Sequence, residues 1–393
     1  MSDKQIIYMD HAATTATRPE VVASMLPYFS MQYGNPSSQY IIAQKNRSAI
    51  EECRRKIVNS LNAKTGNIYF TAGGTEADNW ALKGIACLYE RGHIITSKIE
   101  HHAIIHTCDY LKKHGYDITY LDADENGIIR PEKVKSAIRK DTILISIMYA
   151  NNEIGTIQPI KEIGEIARRY NILFHTDAVQ AYGQIPIDVD ECNIAMLSAS
   201  GHKLRGPKGI GFLYIRKGVN IESFIHGGAQ EEGLRAGTEN VPAIIGLSKA
   251  VDVSFNTMQE RIKQEVKLRD YMIERIINEI PYVRLNGHRI RRLPNNVNVS
   301  FQFVQGESLL VMLDMDGICA SAGSACTSGL ASPSHVLLAI GLPYDIAYGT
   351  IRFTLGYENT LSQIDYVVDR IKMHVAKLRE KSPQYEDFIK GNT

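Results

Sequence analysis

The 393-residue sequence has no surplus of either charge, a single tryptophan, and six cysteines with no Cys-x-x-Cys pair among them. With 44 Lys+Arg against 43 Asp+Glu and a net charge of +1, nothing draws the chain to nucleic acid or to an acidic membrane surface. Apolar stretches such as Ile143 to Tyr149 fall far short of the roughly 20 residues that span a bilayer. The opening Met1-Ser2-Asp3-Lys4-Gln5-Ile6-Ile7-Tyr8 lacks the apolar centre of a signal peptide, so a cytoplasmic protein without membrane contact is expected. The cysteine spacing supports neither a zinc site nor a disulfide framework, and reduced thiols are the default. Also missing are GxxxxGK[ST], a GxGxxG after a strand, and HExxH, which removes nucleotide hydrolysis, Rossmann redox chemistry and zincin chemistry from the first rank.

What is present is ordinary globular composition, 44% hydrophobic and 22% charged, in an alternating pattern. Short β-branched runs at Asn67 to Thr71, His93 to Thr96, Asp117 to Leu121, Thr142 to Met148, Ile172 to His175, Ala195 to Ser198 and Ile210 to Ile215 are separated by amphipathic segments. That alternation predicts an α/β fold with a mainly parallel seven-stranded sheet, whose ligands collect at the carboxyl ends of the strands. Val241 to about Ile280 reads as one long helical region. Beyond it, strands at Asn296 to Phe301 and Thr350 to Leu355 with helices at Gly306 to Met315 and Leu361 to Leu378 predict a smaller α+β domain. The division expected is 15–255 for the large domain, with 1–14 and 256–393 forming the small one.

Three strand ends carry chemistry. Phe70-Thr71-Ala72-Gly73-Gly74-Thr75 leads into a helix start that would offer free amides to an anion, with Thr75 and Asp78 at capping-box-like spacing. Asp177 stands just past a buried strand, where an unpaired carboxylate is costly and a protonated heterocyclic nitrogen is a fitting partner. About twenty residues later another strand begins near Met196 and runs into a turn that carries Lys203, a place where desolvation favours Schiff-base formation. Taken together, anion cradle, strand-end Asp and strand-end Lys describe a pyridoxal 5'-phosphate (PLP) site.

The ordered motifs Tyr8-Met9-Asp10-His11-Ala12-Ala13-Thr14-Thr15, Gly34-Asn35-Pro36-Ser37-Ser38, Thr71 to Asp78, Glu100-His101, Asn151-Asn152-Glu153-Ile154-Gly155, His175 to Gln180, Ser200 to Gly209, Arg235-Ala236-Gly237-Thr238, Gly323-Ser324-Ala325-Cys326-Thr327-Ser328 and Ile351-Arg352-Phe353 run nearly the whole chain. Through them the sequence resembles the cysteine desulfurases of the class V aminotransferase family, fold type I PLP enzymes. The resemblance implies that Lys203 links to the cofactor, Asp177 pairs with its pyridinium nitrogen, and Gln180 bonds its phenolic oxygen. It further implies that His101 stacks on the ring and shuttles protons near neutral pH. Gly74, Thr75, Ser200 and His202 would hold the phosphate, with Thr238 reaching across from the second subunit of a homodimer. Arg352, on the face of its strand opposite Ile351, Phe353 and Leu355, would bind the carboxylate of L-cysteine with help from Asn152 and Asn35. Cys326, in a run of small residues that reads as a mobile loop, would take the substrate sulfur as a persulfide, releasing L-alanine. The sulfur would pass to an iron–sulfur scaffold, which gives the chain its association with metal-binding systems, or to a tRNA-thiolating enzyme.

No metal ligand set is assigned, since His101 is claimed by the cofactor and His102 and His106 read as polar-face residues of a helix. Cys53, Cys87, Cys108, Cys192 and Cys319 read as buried thiols. Three details depart from the family pattern: Gln39-Tyr40 replaces a frequent Leu-His, Glu232 stands where a basic residue is common, and Ala331-Ser332-Pro333 lacks the usual Glu. Two other readings remain open on these residues. One is a selenocysteine lyase or class V aminotransferase on the same cofactor site, and the other a non-catalytic scaffold with the PLP fold.

Overall fold

The computed structural model describes residues 6–322 and 333–391. The twelve strands of the described residues are β1 (Ile7–Tyr8), β2 (Asn67–Thr71), β3 (His93–Ser97), β4 (Asp117–Leu121), β5 (Thr142–Ser146), β6 (Leu173–Asp177), β7 (Met196–Ser200), β8 (Gly211–Ile215), β9 (Val283–Leu285), β10 (Asn296–Phe301), β11 (Ile318–Cys319) and β12 (Thr350–Thr354). Strands β2 to β8 form one seven-stranded sheet in the order β2-β8-β7-β6-β5-β3-β4. All seven lie where the β-branched runs predict them.

Period-two alternation splits each strand between two cores. Ile68, Ile95, Ile145, Leu197 and Phe212 enter one apolar cluster, while their neighbours Tyr69, Ile94, Leu144, Met196 and Leu213 enter the other beneath helix Gly74–Ala86. Such strands are buried on both faces, as a helix-covered parallel sheet demands. Only β8 runs against its neighbours, antiparallel to both β2 and β7. Two reversals restore direction, so β2 ends on the same edge of the sheet as β6 and β7. At that edge Gly211 opens β8, where a Cβ would lie 2.5 Å from the Ala199 carbonyl oxygen and 2.8 Å from Gly73. A side chain here would push away the turn that follows β2.

The helical region after Val241 is two helices, Val241–Asn256 and Met258–Glu279, rather than one. Thr257 breaks it at φ −105°, ψ 1°, with its hydroxyl turned back to the Val253 carbonyl at 2.9 Å. Side-chain bonding of this kind competes with the helix ladder. The second helix packs with Leu361–Arg379 on the antiparallel sheet β12-β10-β9, around a core that includes Leu268, Ile273, Val297, Val299, Ile351, Phe353 and Ile364. Strand β1 pairs in parallel with β11, register Ile7 to Ile318. From β1 the chain crosses to the large sheet: Ala12 N–H donates to Thr354 Oγ1 at 2.8 Å, and Thr15 N–H to the His202 carbonyl at 3.2 Å. No described helix is long and apolar enough to cross a membrane.

Candidate active site

The shared edge of β2, β6 and β7 faces β12 across a cavity of about 490 Å³. Its wall contains Lys203, Asp177, His101, Gln180, Asn152 and Arg352. Gly74, Thr75, Ser200 and His202 line both this cavity and a more open one beside it. The four residues assigned to the phosphate thus mark one end of the site.

Helix Gly74–Ala86 begins without any side-chain cap. The expected Thr75–Asp78 capping box does not form: Gly73 is the N-cap, Thr75 lies inside the first turn, and Asp78 is turned into the core. Uncapped first-turn amides with the positive end of the helix dipole are what an anion requires. His202 Nδ1 lies 3.1 Å from Thr14 Oγ1, and burial together with Lys203 and Lys208 pushes its pKa down to about 4.

At the other end of the sheet edge, Asp177 Oδ1 accepts the Val179 N–H at 2.9 Å. Burial raises the Asp177 pKa, against the pull of that N–H and of Lys203. Asp78, His101 and Asp177 each place one ligand-type atom within 4.8 Å of the others. Two carboxylates so close and so dry do not both ionise, and Asp78 is raised well above its ordinary value, chiefly by burial and then by Asp177. Burial thus disfavours a second negative charge beside Asp177, and a protonated ring nitrogen is a fitting partner for the first. Lys203 Nζ donates to the carbonyls of Ala12 at 2.5 Å and Ala13 at 2.8 Å, and Gln180 Nε2 to the Ala12 carbonyl at 3.0 Å. A buried carboxylate, a lysine whose charge acts on it and an uncapped helix start lining the same cavity fit PLP.

His101 is the N-cap of helix His102–Lys113, its Nδ1 accepting the Ala103 N–H at 3.1 Å. That bond fixes Nδ1 as the bare nitrogen and leaves the proton on Nε2. Burial and the Lys203 charge push its pKa down to about 4, so His101 enters the site as a neutral N–H donor rather than as a group poised near neutrality. Its neighbour Glu100 is buried and held by Ser97 Oγ and by the Met148 N–H at 3.0 Å, with a pKa raised by burial to about 8.

Arg352 emerges from the middle of β12 on the face away from Ile351 and Phe353, as the alternation predicts. It is 4% exposed, because Asn152 and Asp10 close over that face. Its terminal nitrogens donate to the Asn152 carbonyl at 3.0 Å and to Asp10 Oδ1 at 2.8 Å. Two predicted residues stand apart. Asn35 is exposed, its Oδ1 accepting the Ser37 N–H at 2.9 Å, and Thr238 borders a separate cavity with Arg235 and Gly237. Cys326 lies outside the described residues, though Ser321 exchanges two main-chain bonds with Arg352, at 3.1 and 2.7 Å.

Cys53, Cys108 and Cys192 are buried, but Cys87 is exposed and Cys319 partly so. Cys87 caps the end of its helix, where the chain leaves the core, and β11 is an edge. The His102 ring stacks on His106 at 5.0 Å and meets His335 at 4.7 Å. Glu232, where a base was common, accepts from Asn67 Nδ2 and the Tyr69 hydroxyl, both at 2.9 Å. Sequence reasoning assigned no role to Asp10 or Glu153 and placed Asp78 in a helix cap. Each stands in a quoted motif, but only the fold reveals that they are buried or paired around the cavity.

A family model described as aminotransferase class-V matches residues 7–367. A protein of Methanosarcina thermophila named "Cysteine desulfurase IscS" is 54% identical over 384 residues, 97% of this chain and 95% of that protein. Among solved structures, one titled as a NifS-like protein superposes with TM-score 0.88 at 36% identity, covering 95% of this chain and all (100%) of that one. Another, titled "SspA in complex with cysteine", gives TM-score 0.80 at 40% identity over 90% of this chain and 99% of its own.

Proposed function

The chain belongs to the aminotransferase class-V family and is a PLP-dependent cysteine desulfurase, and from that premise we propose how its own residues divide the work. The supporting observation is the meeting of Lys203, Asp177, His101 and Arg352, residues 101 to 352 in sequence, on one cavity. Bound PLP supplies an electron sink for bonds at the substrate's α-carbon. Asp177 would pair with the ring nitrogen and keep it charged. Lys203 would hold the cofactor and move the α-proton, and Gln180 would bond the phenolic oxygen. The uncapped helix at Gly74 and Thr75, with Ser200 and His202, would take the phosphate. Arg352 binds the carboxylate of L-cysteine by its fork of donors, oriented by Asp10 and by Asn152. Cys326 accepts the substrate sulfur as a persulfide and L-alanine leaves. The persulfide sulfur goes to an acceptor protein of iron–sulfur cluster assembly or to a tRNA-thiolating enzyme.

We assign the active form to a homodimer. Leu26, Phe29, Met31, Tyr33 and Ile41 are 60 to 74% exposed within one short stretch of chain, an apolar patch typical of an interface. Thr238 lies outside its own cavity wall, as a residue serving a second copy would.

Alanine and sulfide formation from L-cysteine with a reductant tests the assignment. Wild type is expected to be active, and Cys326→Ala and Lys203→Ala inactive. Turnover surviving in Cys326→Ala would transfer the reading to an aminotransferase or selenocysteine lyase.

A further inference from the structure

Glu153 is a buried carboxyl to which the roles above give no work. Its backbone has no freedom: Asn151 Oδ1 accepts the N–H groups of Glu153 and Ile154 at 2.9 and 3.0 Å, and the side-chain amides of Asn296 and Asn298 each donate to the Glu153 carbonyl at 3.0 Å. The side chain is thereby set in the cavity wall beside Asn152, Ser334 and Arg352, and it is 5% exposed. Its Oε2 has no hydrogen-bond partner among the described residues, and neither has Arg352 Nε. An unsatisfied oxygen and an unsatisfied N–H in one wall leave a place for a group that both accepts and is held, such as a carboxylate.

Charge decides the form in which Glu153 waits. The Arg352 cation is already matched by Asp10 at 2.8 Å, so an ionised Glu153 would crowd a second anion there before any substrate arrives. The groups that act on it are Ser334, the N-cap of helix His335–Ala339, and Arg352 on β12, whose cation Asp10 pairs. Burial outweighs the Ser334 hydroxyl and Arg352 and lifts the Glu153 pKa to about 7.

We propose that Glu153 is a substrate-binding residue which, as the neutral acid, donates a hydrogen bond from Oε2 to the α-carboxylate of the amino acid held at Arg352. This rests on the reading of Arg352 as the carboxylate site. A neutral acid adds a donor without adding charge, whereas the ionised form repels the ligand. Amino-acid binding therefore favours the protonated residue, and affinity falls as Glu153 ionises.

The experiment measures, on the holoenzyme between pH 6 and 8.5, the Kd of L-alanine by calorimetry and the KM of L-cysteine for wild type, Glu153→Gln and Glu153→Ala. Glutamine keeps a donor at all pH values. The ratio of wild-type to Glu153→Gln constants is expected to be near 1 at pH 6 and to rise on the order of tenfold or more by pH 8.5, while Glu153→Ala binds weakly throughout. Parallel curves for wild type and Glu153→Gln overturn the proposal. If the variants do not fold, wild type alone decides: the affinity of propionate, a carboxylate with no amine to titrate in this range, should fall as pH rises, and a constant affinity overturns it. L-Alanine binding requires no desulfuration. The expected pattern without sulfide production keeps Glu153 and removes the desulfurase reading, and sulfide production with parallel curves does the reverse.

Discussion

His175 illustrates how single residues behave in this core. It sits on β6 with no exposed surface, Nδ1 2.9 Å from Ser146 Oγ and Nε2 3.0 Å from Ser198 Oγ. Burial pushes its pKa down to about 3, so the folded protein holds it neutral where the unfolded chain, with an ordinary pKa of about 6.5, takes up a proton. The stability this contributes is complete above pH 6.5 and is lost as pH falls toward 3. Between those limits the loss is about 1.4 kcal/mol per pH unit. The buried acids oppose it: Glu100, Glu153 and Asp177, with raised values, gain in relative stability over part of the same range. Wild-type acid sensitivity is thus partly cancelled. Replacing His175 by Asn should lower stability at pH 7 yet flatten its decline between pH 6 and 4 by about 1.4 kcal/mol per unit, as read from denaturant unfolding at a series of pH values. An unchanged slope would mean His175 is protonated in the fold.

At the scale of elements, the site is made mostly of ends: the carboxyl ends of β6 and β7, the N-termini of two helices and the turn from Asn151 to Gly155, with only Arg352 coming from the middle of a strand. That turn depends on Gly155, at φ +74°, where a Cβ would lie 2.5 Å from Asn296 Oδ1. Asn296 also holds the Glu153 carbonyl, so a methyl group here both strains the backbone and displaces a brace of the proposed carboxylate subsite. Gly155→Ala should cost about 1–3 kcal/mol in stability and raise the KM for L-cysteine more than it lowers kcat. Thermal unfolding and steady-state kinetics check both parts. The strands were legible because β-branched runs bounded by turns are a local signal. The capping box was not, because Thr75-x-x-Asp78 spacing is equally compatible with a cap and with Asp78 buried one turn into the helix, and only the neighbouring β6 settles the choice. The break at Thr257 is illegible for a similar reason, since one Asn-Thr step in a good helical pattern is a weak stop.

For the whole molecule, the exposed patch from Leu26 to Ile41 and the outlying Thr238 make one prediction. Wild type should sediment at twice the chain mass, and Ile41→Glu should shift it toward monomer with weaker cofactor retention. A monomeric variant that keeps its cofactor and full activity would sink the cross-subunit role of Thr238. The sequence by itself determined the seven strands of the large sheet, the apolar face of Ile351, Phe353 and Leu355, and the strand-end positions of Asp177 and Lys203, because periodicity and turn chemistry act within a few residues. Tertiary structure alone decided that Asp10 grips Arg352, 342 residues away, that Asp78 and Asp177 meet within 4.8 Å, and that Arg352 is buried. It also set Glu153 in the cavity wall and left Thr238 outside it. The state of an ionisable side chain is fixed by desolvation and by the charges a few ångströms away, and the fold, not the order of residues, chooses those neighbours.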